Sequence, residues 1–320
     1  MEKEKKVKDV DFADSAVPSS ARKNVVTMFM IMLGFTFFSA SMWVGQQLAD
    51  GLDFWGFLGS LILGGIILGI YTGLLGYVGA KTGLSLDLLS QRAFGEKGSY
   101  LPSAMTSFTQ IGWFSVGSFV SGGTATPNFA RFAKNGKSGA ITTVVAFFIG
   151  NSLMFFFGAV SSIFVGGNDI FEVMVRLNLF YLAVLVLGLN IWTTNDNALY
   201  TAGLGLANIF HQRKKPMVLL SGIIGTVASV WLYYNFCGWL NILNCTLPPV
   251  GMILVLAYFM NKEDFETDQP KLKTVDWFAV AGVILGAIVA NLLHWGIASI
   301  NGMVVAAVCY CVGQAVNKRK

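Results

Sequence analysis

Charge is what this chain of 320 residues has least of. Asp, Glu, Lys and Arg together make up 12% of it, about half the share of an ordinary soluble domain. That scarcity excludes a water-soluble globule. Cysteine is scarce too. Cys237, Cys245, Cys309 and Cys311 all sit in apolar runs, with no CxxC or Cys/His spacing, so they read as small hydrophobes and not as a disulfide framework or metal ligands. Of two histidines, His294 stands alone in an apolar run and reads as a satisfied or interface side chain. The hydrophobic runs hold no paired-carboxylate, Cys/His or Ser/His constellation, so the sequence points to no enzyme and no cofactor. The net charge of +5 is accounted for by loops on one side of a membrane, and no nucleic-acid surface is implied.

What the chain does have is long apolar sequence: 54% of it is hydrophobic and its mean hydropathy is +0.63. Runs without a formal charge extend over Asn24 to Ala49, Phe54 to Ala80, Gly98 to Ala130, Ser138 to Asn168, Pro216 to Asn261 and Trp277 to Asn317, and a further run, Leu177 to Phe210, carries Asp196 alone. About 20 apolar residues cross a bilayer. The 46-residue run from Pro216 therefore divides in two, near Asn235 to Asn244 or at Pro248 and Pro249. The 41-residue run from Trp277 divides as well, at the polar patch Ser299 to Gly302. The result is an all-α polytopic membrane protein with nine hydrophobic segments. Residues 1–24 are a polar tail, 25–317 a single transmembrane domain and 318–320 a basic end. No cleavable signal peptide is evident, and the first apolar run reads as a retained helix.

Lys and Arg mark cytoplasmic loops. The tail, the loop with Lys81, Arg92 and Lys97, the loop with Arg213, Lys214 and Lys215, and the end with Lys318, Arg319 and Lys320 should share one face, both termini included. Arg131, Lys134 and Lys137 break the parity if Gly98 to Ala130 crosses. If that segment instead enters and leaves on the cytoplasmic side, eight spans remain and every basic cluster falls inside. Its roughly 33 residues are too few for two spans of about 20 and ample for a re-entrant hairpin. Thr106 to Pro127 is rich in Ser, Thr and Gly, which suits unwinding. The ladder Gly65, Gly69 and Gly73, by contrast, reads as a surface that lets the second span pack closely.

The most polar stretch at bilayer depth is NIWTTNDNALY, Asn190 to Tyr200. Strongly polar groups at that depth are expensive and mark a ligand or ion path unless they bond to a neighbouring helix. Asn190, Thr193, Thr194 and Asn197 recur at i, i+3, i+4 and i+7 and form one stripe of neutral oxygens, the donor type that suits a small hard cation. Asp196 points about 120° away and reads either as a gating carboxylate or as a structural hydrogen bonder.

Phe37 to Gly45, Leu68 to Leu84, Thr109 to Phe114, Gly117 to Thr124, the stretch AFFIGNSLMF and the stretch LGLNIWTTNDNALY resemble the nucleobase:cation symporter-1 (purine-cytosine permease) family, from Val17 almost to the C-terminus. The resemblance implies two inverted five-helix repeats of the LeuT type, a plasma (inner) membrane location, a nucleobase as small-molecule partner and sodium, or alternatively a proton, as coupling ion. It leaves oligomeric state open. QIGWF resembles the family's third span and GSFVSGGT its sixth, yet only Ser115 and Val116 separate them. The end of span three, spans four and five and the start of span six are missing by this reading, on the order of ninety residues. The fold expected is therefore a truncated version, with about eight full spans plus one hybrid segment, 98–130.

By resemblance, Gln110, Trp113, Ser118, Phe119, Ser121 and Gly122 contact the base, while Phe38, Ser41, Asn190, Thr193 and Thr194 hold the ion. On one unbroken helix Trp113 and Phe119 are separated by about 9 Å of rise and about 120° of rotation. A ring sandwich of about 7 Å, two contact distances of about 3.5 Å, thus requires a break near Val116 or Gly117. The function implied is import of cytosine or a close nucleobase by symport. The alternative is a truncated membrane remnant that inserts and does not transport, since alternating access uses both repeats as rigid bodies.

Overall fold

The computed structural model describes residues 12–37, 39–116, 122–167, 170–267, 269–293 and 295–317. Every hydrophobic run forms helix, and local sequence sets where each helix starts. Asn24 Oδ1 accepts from the Thr27 amide at 2.8 Å to open α1 (Val25–Thr36), and Asp53 Oδ1 accepts from Gly56 at 2.9 Å to open α3 (Phe54–Thr82). Asn135 does the same for α7 (Gly136–Val165) and Asp276 for α13 (Trp277–Leu292). These side chains satisfy amides that a helix start leaves without an intrahelical partner. Gly83, at φ 74°, ends α3 in the left-handed conformation that glycine adopts at little cost.

The first run is broken. α1 stops at Thr36, Phe37 leaves the helical region, and α2 (Ser39–Gly51) continues at a bend of 58°. Thr36 anchors the break by donating its hydroxyl to Leu33 O and, across to α7, to Ala146 O, both at 3.0 Å. α3 and α7 pack along the Gly65, Gly69 and Gly73 ladder, where Phe148 and Val144 of α7 fill the space a side chain would take. α2 meets α7 even more closely: a Cβ at Gly45 would overlap the Phe155 backbone, and one at Gly158 the Met42 backbone.

A second group is formed by α5 (Tyr100–Val116), α9 (Phe180–Phe210) and α10 (Lys214–Tyr234), joined to the first through α11 (Phe236–Met260). The largest apolar core lies between α3, α4 (Leu86–Phe94), α11, α13 and α14 (Ala298–Asn317). Short helices α6 (Thr126–Ala130), α8 (Ile170–Arg176) and α12 (Lys262–Glu266) complete the chain.

By length and composition, five helices among the described residues suffice to cross a membrane: Phe54–Thr82, Gly136–Val165, Lys214–Leu232, Gly238–Met260 and Ala298–Asn317. The bent pair α1 and α2 makes a sixth. That is fewer than the eight full spans expected. α9 has 31 residues but is interrupted by its polar run, and α13 is apolar but only 16 residues long.

Of the two expected breaks, the first falls at one of its two alternatives and the second is displaced. The run from Pro216 divides at Asn235, and Pro248 and Pro249 lie inside α11. Proline at 248 cannot bond the carbonyl four residues back, and the Ser299 hydroxyl donates to that Asn244 oxygen at 3.0 Å instead. The run from Trp277 divides between the end of α13 at Leu292 and the start of α14 at Ala298, not at Ser299 to Gly302. Gly296 turns there with φ 75°, and Asn301 Nδ2 donates to Trp295 O at 2.7 Å. Ser299 and Gly302 are inside α14, where Gly302 closes on Gly286 of α13 and Ser299 serves α11.

Candidate functional site

Asn190, at the start of the polar run of α9, reaches the break in the first span. Asn190 Nδ2 donates to Phe37 O at 3.0 Å, so an amide from α9 meets the backbone where α1 ends. Thr193 and Thr194 lie within α9, but their side chains, like the whole of Phe38, lie outside the described residues. Ser41 is buried on α2, Asn197 is half-buried and Asp196 is exposed.

Gln110 and Trp113 are both buried on α5. The Trp113 ring meets Trp239 of α11 edge-on, with centroids 4.6 Å apart, in a cluster with Leu232, Leu243 and Leu247. Gly112 makes room for that indole, because a Cβ there would overlap it. α5 is described as far as Val116, and the break expected near Val116 or Gly117 falls at the edge of the described residues. Ser118, Phe119 and Ser121 lie outside the described residues, and Gly122 opens the 3-10 turn Gly122–Ala125.

A cavity of about 210 Å³ lies between α2, α3, the Gly122–Ala125 turn and α7. Ser41 and Gly123 line it, and so do Phe147, Asn151 and Phe155 of α7. The structure thus brings Ser41 and the Gly122–Ala125 turn to one cavity. Asn151 went unnoticed in the sequence because a single amide in an apolar run reads as a satisfied core residue. The available signal was its spacing, four residues from a phenylalanine on each side.

At one end of the helices lies a buried polar layer. Ser103 of α5 donates to Asp87 Oδ1 of α4 at 2.6 Å, and Asn208 of α9 donates to Ser103 Oγ at 2.8 Å and Ser99 Oγ at 3.1 Å. Burial pushes the Asp87 carboxyl up to about 6, against the opposing influence of the Ser103 hydroxyl and of Arg131. Arg131, expected as a loop charge, is instead fully buried. It donates to Phe12 O at 2.8 Å, Asn128 O at 3.2 Å and the Tyr200 hydroxyl at 2.7 Å. Those bonds satisfy a guanidinium that burial would otherwise penalise heavily.

Both flanks of segment 98–130 meet the first turn of α4. Ser103 bonds Asp87, and Asn128 Oδ1 accepts from the Leu86 amide at 2.7 Å. The tail joins them, with the Lys23 amide on Phe132 O at 2.6 Å and Arg22 Nη1 on Ala80 O at 2.6 Å. Tyr100 and His211 are linked at 2.7 Å in the same layer.

The family described as permease for cytosine/purines, uracil, thiamine, allantoin matches residues 16–124 and 115–315. Cytosine permeases of Escherichia coli strain K12 and Escherichia coli O157:H7 are each 37% identical over 405 residues, covering 98% of this chain and 96% of the permease. The matched length exceeds the chain's 320 residues, and the two family matches overlap where QIGWF runs into GSFVSGGT. Mhp1, a nucleobase-cation-symport-1 family transporter, in a closed conformation with bromovinylhydantoin bound, superposes with TM-score 0.77 at 15% identity, covering 95% of this chain and 94% of Mhp1. Inward-facing Mhp1 gives 0.76 at 15% identity, covering 95% and 93%. The fold is that of an inverted-repeat, LeuT-type transporter.

Proposed function

The chain belongs to the family of permeases for cytosine/purines, uracil, thiamine and allantoin, and from that membership we propose that it imports cytosine or a closely related nucleobase together with a cation. It is a multi-pass membrane transporter and not an enzyme. The observation that carries the cation-coupled reading is the bond from Asn190 to Phe37 O. It brings the α9 stripe to unwound backbone of the first span, the kind of site in which broken-helix transporters coordinate a coupling ion. Neutral oxygens from Asn190, Thr193, Thr194 and Ser41, with the Phe38 backbone, would hold sodium weakly enough to release it. A proton is the alternative coupling ion. Gln110 offers both a donor and an acceptor to a base edge, and Trp113 an aromatic face, with Ser118, Phe119, Ser121 and Gly122 completing the base site. The inner membrane, with both termini cytoplasmic, is the location that the basic loops favour.

The competing reading is a remnant that inserts without transporting, favoured by the internal shortfall where the two family matches meet. Uptake of labelled cytosine into cells lacking their own permease separates the two. Transport predicts signal above background that falls when choline replaces sodium, and a rise of about tenfold or more in the sodium concentration required by Asn190→Ala. Background uptake by the wild-type chain would overturn the transport reading. Uptake that follows the proton gradient and ignores sodium would replace the coupling ion.

A further inference from the structure

The stretch Ala146 to Phe155 plays no part in the site assigned above, yet it supplies one wall of the cavity. Phe147, Asn151 and Phe155 recur at i, i+4 and i+8 on α7 and so form a single line along one face. Ser41 and Val44 of α2 face them, and Gly123 contributes the turn beside them. The void is held open by backbone. Gly45 lies against the Phe155 backbone and Gly158 against that of Met42, so α2 and α7 are locked together on either side of Val44 and cannot slide closed.

The chemistry of the lining selects its occupant. Only Ser41 and Asn151 among the described lining residues bring a side-chain oxygen, too few to replace the shell of oxygen ligands a hard cation takes. The polar side chains are one hydroxyl, Ser41, and one carboxamide, Asn151, which is 8% exposed. Together they can donate and accept at a single edge. Phe147 and Phe155 are separated by about 12 Å of helix rise, so they close the two ends and do not clamp both faces of a ring. Drug-sized ligands occupy pockets of about 300–1,000 Å³. A volume of about 210 Å³ holds one ring, or about seven waters at roughly 30 Å³ each.

We propose that this cavity binds a neutral single-ring heterocycle bearing neighbouring N–H and C=O groups, its polar edge on Asn151 and Ser41 and its apolar parts against Phe147 and Phe155. The proposal rests on the transport reading for the ligand's chemical class alone. Its described lining residues are distinct from Gln110 and Trp113, whose indole meets Trp239.

The test is direct binding of labelled cytosine, uracil and hydantoin to the purified full-length chain in detergent. Wild-type protein is expected to bind at least one of them. Asn151→Ala should raise Kd by about tenfold or more through loss of a buried hydrogen-bonded edge. Val44→Phe, which fills the void, should abolish binding while the melting temperature stays within a few degrees of wild type or rises. Binding unchanged in both variants overturns the site and leaves the transport reading intact. Binding without uptake overturns transport and leaves the site standing. Failure of the wild-type chain to bind any of the three rings overturns both.

Discussion

α7 and α9 are nearly equal in length, 30 and 31 residues, and they carry their polar groups in opposite ways. α9 concentrates six polar side chains between Asn190 and Tyr200, while its first turns, from Phe180 to Leu189, are exposed almost all round. α7 spreads its polarity thinly and is enclosed by α1, α2 and α3, with Thr143, Phe147, Gly150 and Asn151 all buried. The helix that looks like a binding element is the looser one. The helix that looks like packing borders the cavity. Polarity read along a chain reveals where burial would be costly, whereas a cavity depends on how closely two backbones approach.

That contrast can be broken at three points. The largest effect is expected at Gly158→Val on α7, because any side chain there must displace the Met42 backbone. Overpacking that cannot relax costs about 3 kcal/mol or more, so the variant should be lost from the monodisperse peak in detergent size-exclusion chromatography. A normal elution profile would show that α2 and α7 are not locked.

An intermediate effect is expected where the base of α9 joins the other helices through Asn208, Ser103 and Asp87. The Asp87 carboxyl, raised to about 6 by burial, binds its proton more tightly folded than unfolded. Its contribution to stability is therefore complete below about pH 4 and is lost as pH rises through about 6, a change of about 3 kcal/mol. Thermal melting of the wild type should fall between pH 5 and pH 7.5, and Asp87→Asn should flatten the profile. Parallel profiles for the two proteins would place the pH dependence elsewhere.

The smallest effect is expected at Gly188→Ala on α9, where nothing lies within 4 Å of the added carbon. Replacing a mid-helix glycine should stabilise by about 0.5–1 kcal/mol, a small rise in melting temperature. A loss of stability there would mean that α9 is as tightly enclosed as α7.

Much of the architecture could be read in advance because its causes are local. Asn24, Asp53, Asn135 and Asp276 cap the helices that follow them, and a cap acts within three residues. The Gly65, Gly69 and Gly73 ladder packs against α7 as its spacing implied. Reading failed where a distant group decides. Between the two breaks offered for the run from Pro216, only a distant group decides, because Ser299, 51 positions after Pro248, supplies the donor that the proline lacks and the chain divides at Asn235. Arg131 looked like a loop charge until Phe12 and Tyr200 supplied its acceptors. Within the site, Asn190 was legible as one of a polar cluster, and Asn151 was not, because its apolar neighbours conceal it.

By itself the sequence determined that this chain is a bundle of apolar helices, where most of them start, and that one of them carries a dense polar run from Asn190 to Asn197. Those outcomes follow from transfer energies and short-range hydrogen bonds, which act residue by residue. Tertiary structure alone decided that α2 would lie against α7 at Gly45 and Gly158 and leave a ring-sized space beside Asn151. Such a space is the difference between two surfaces more than a hundred residues apart in sequence, and neither stretch specifies it without the other.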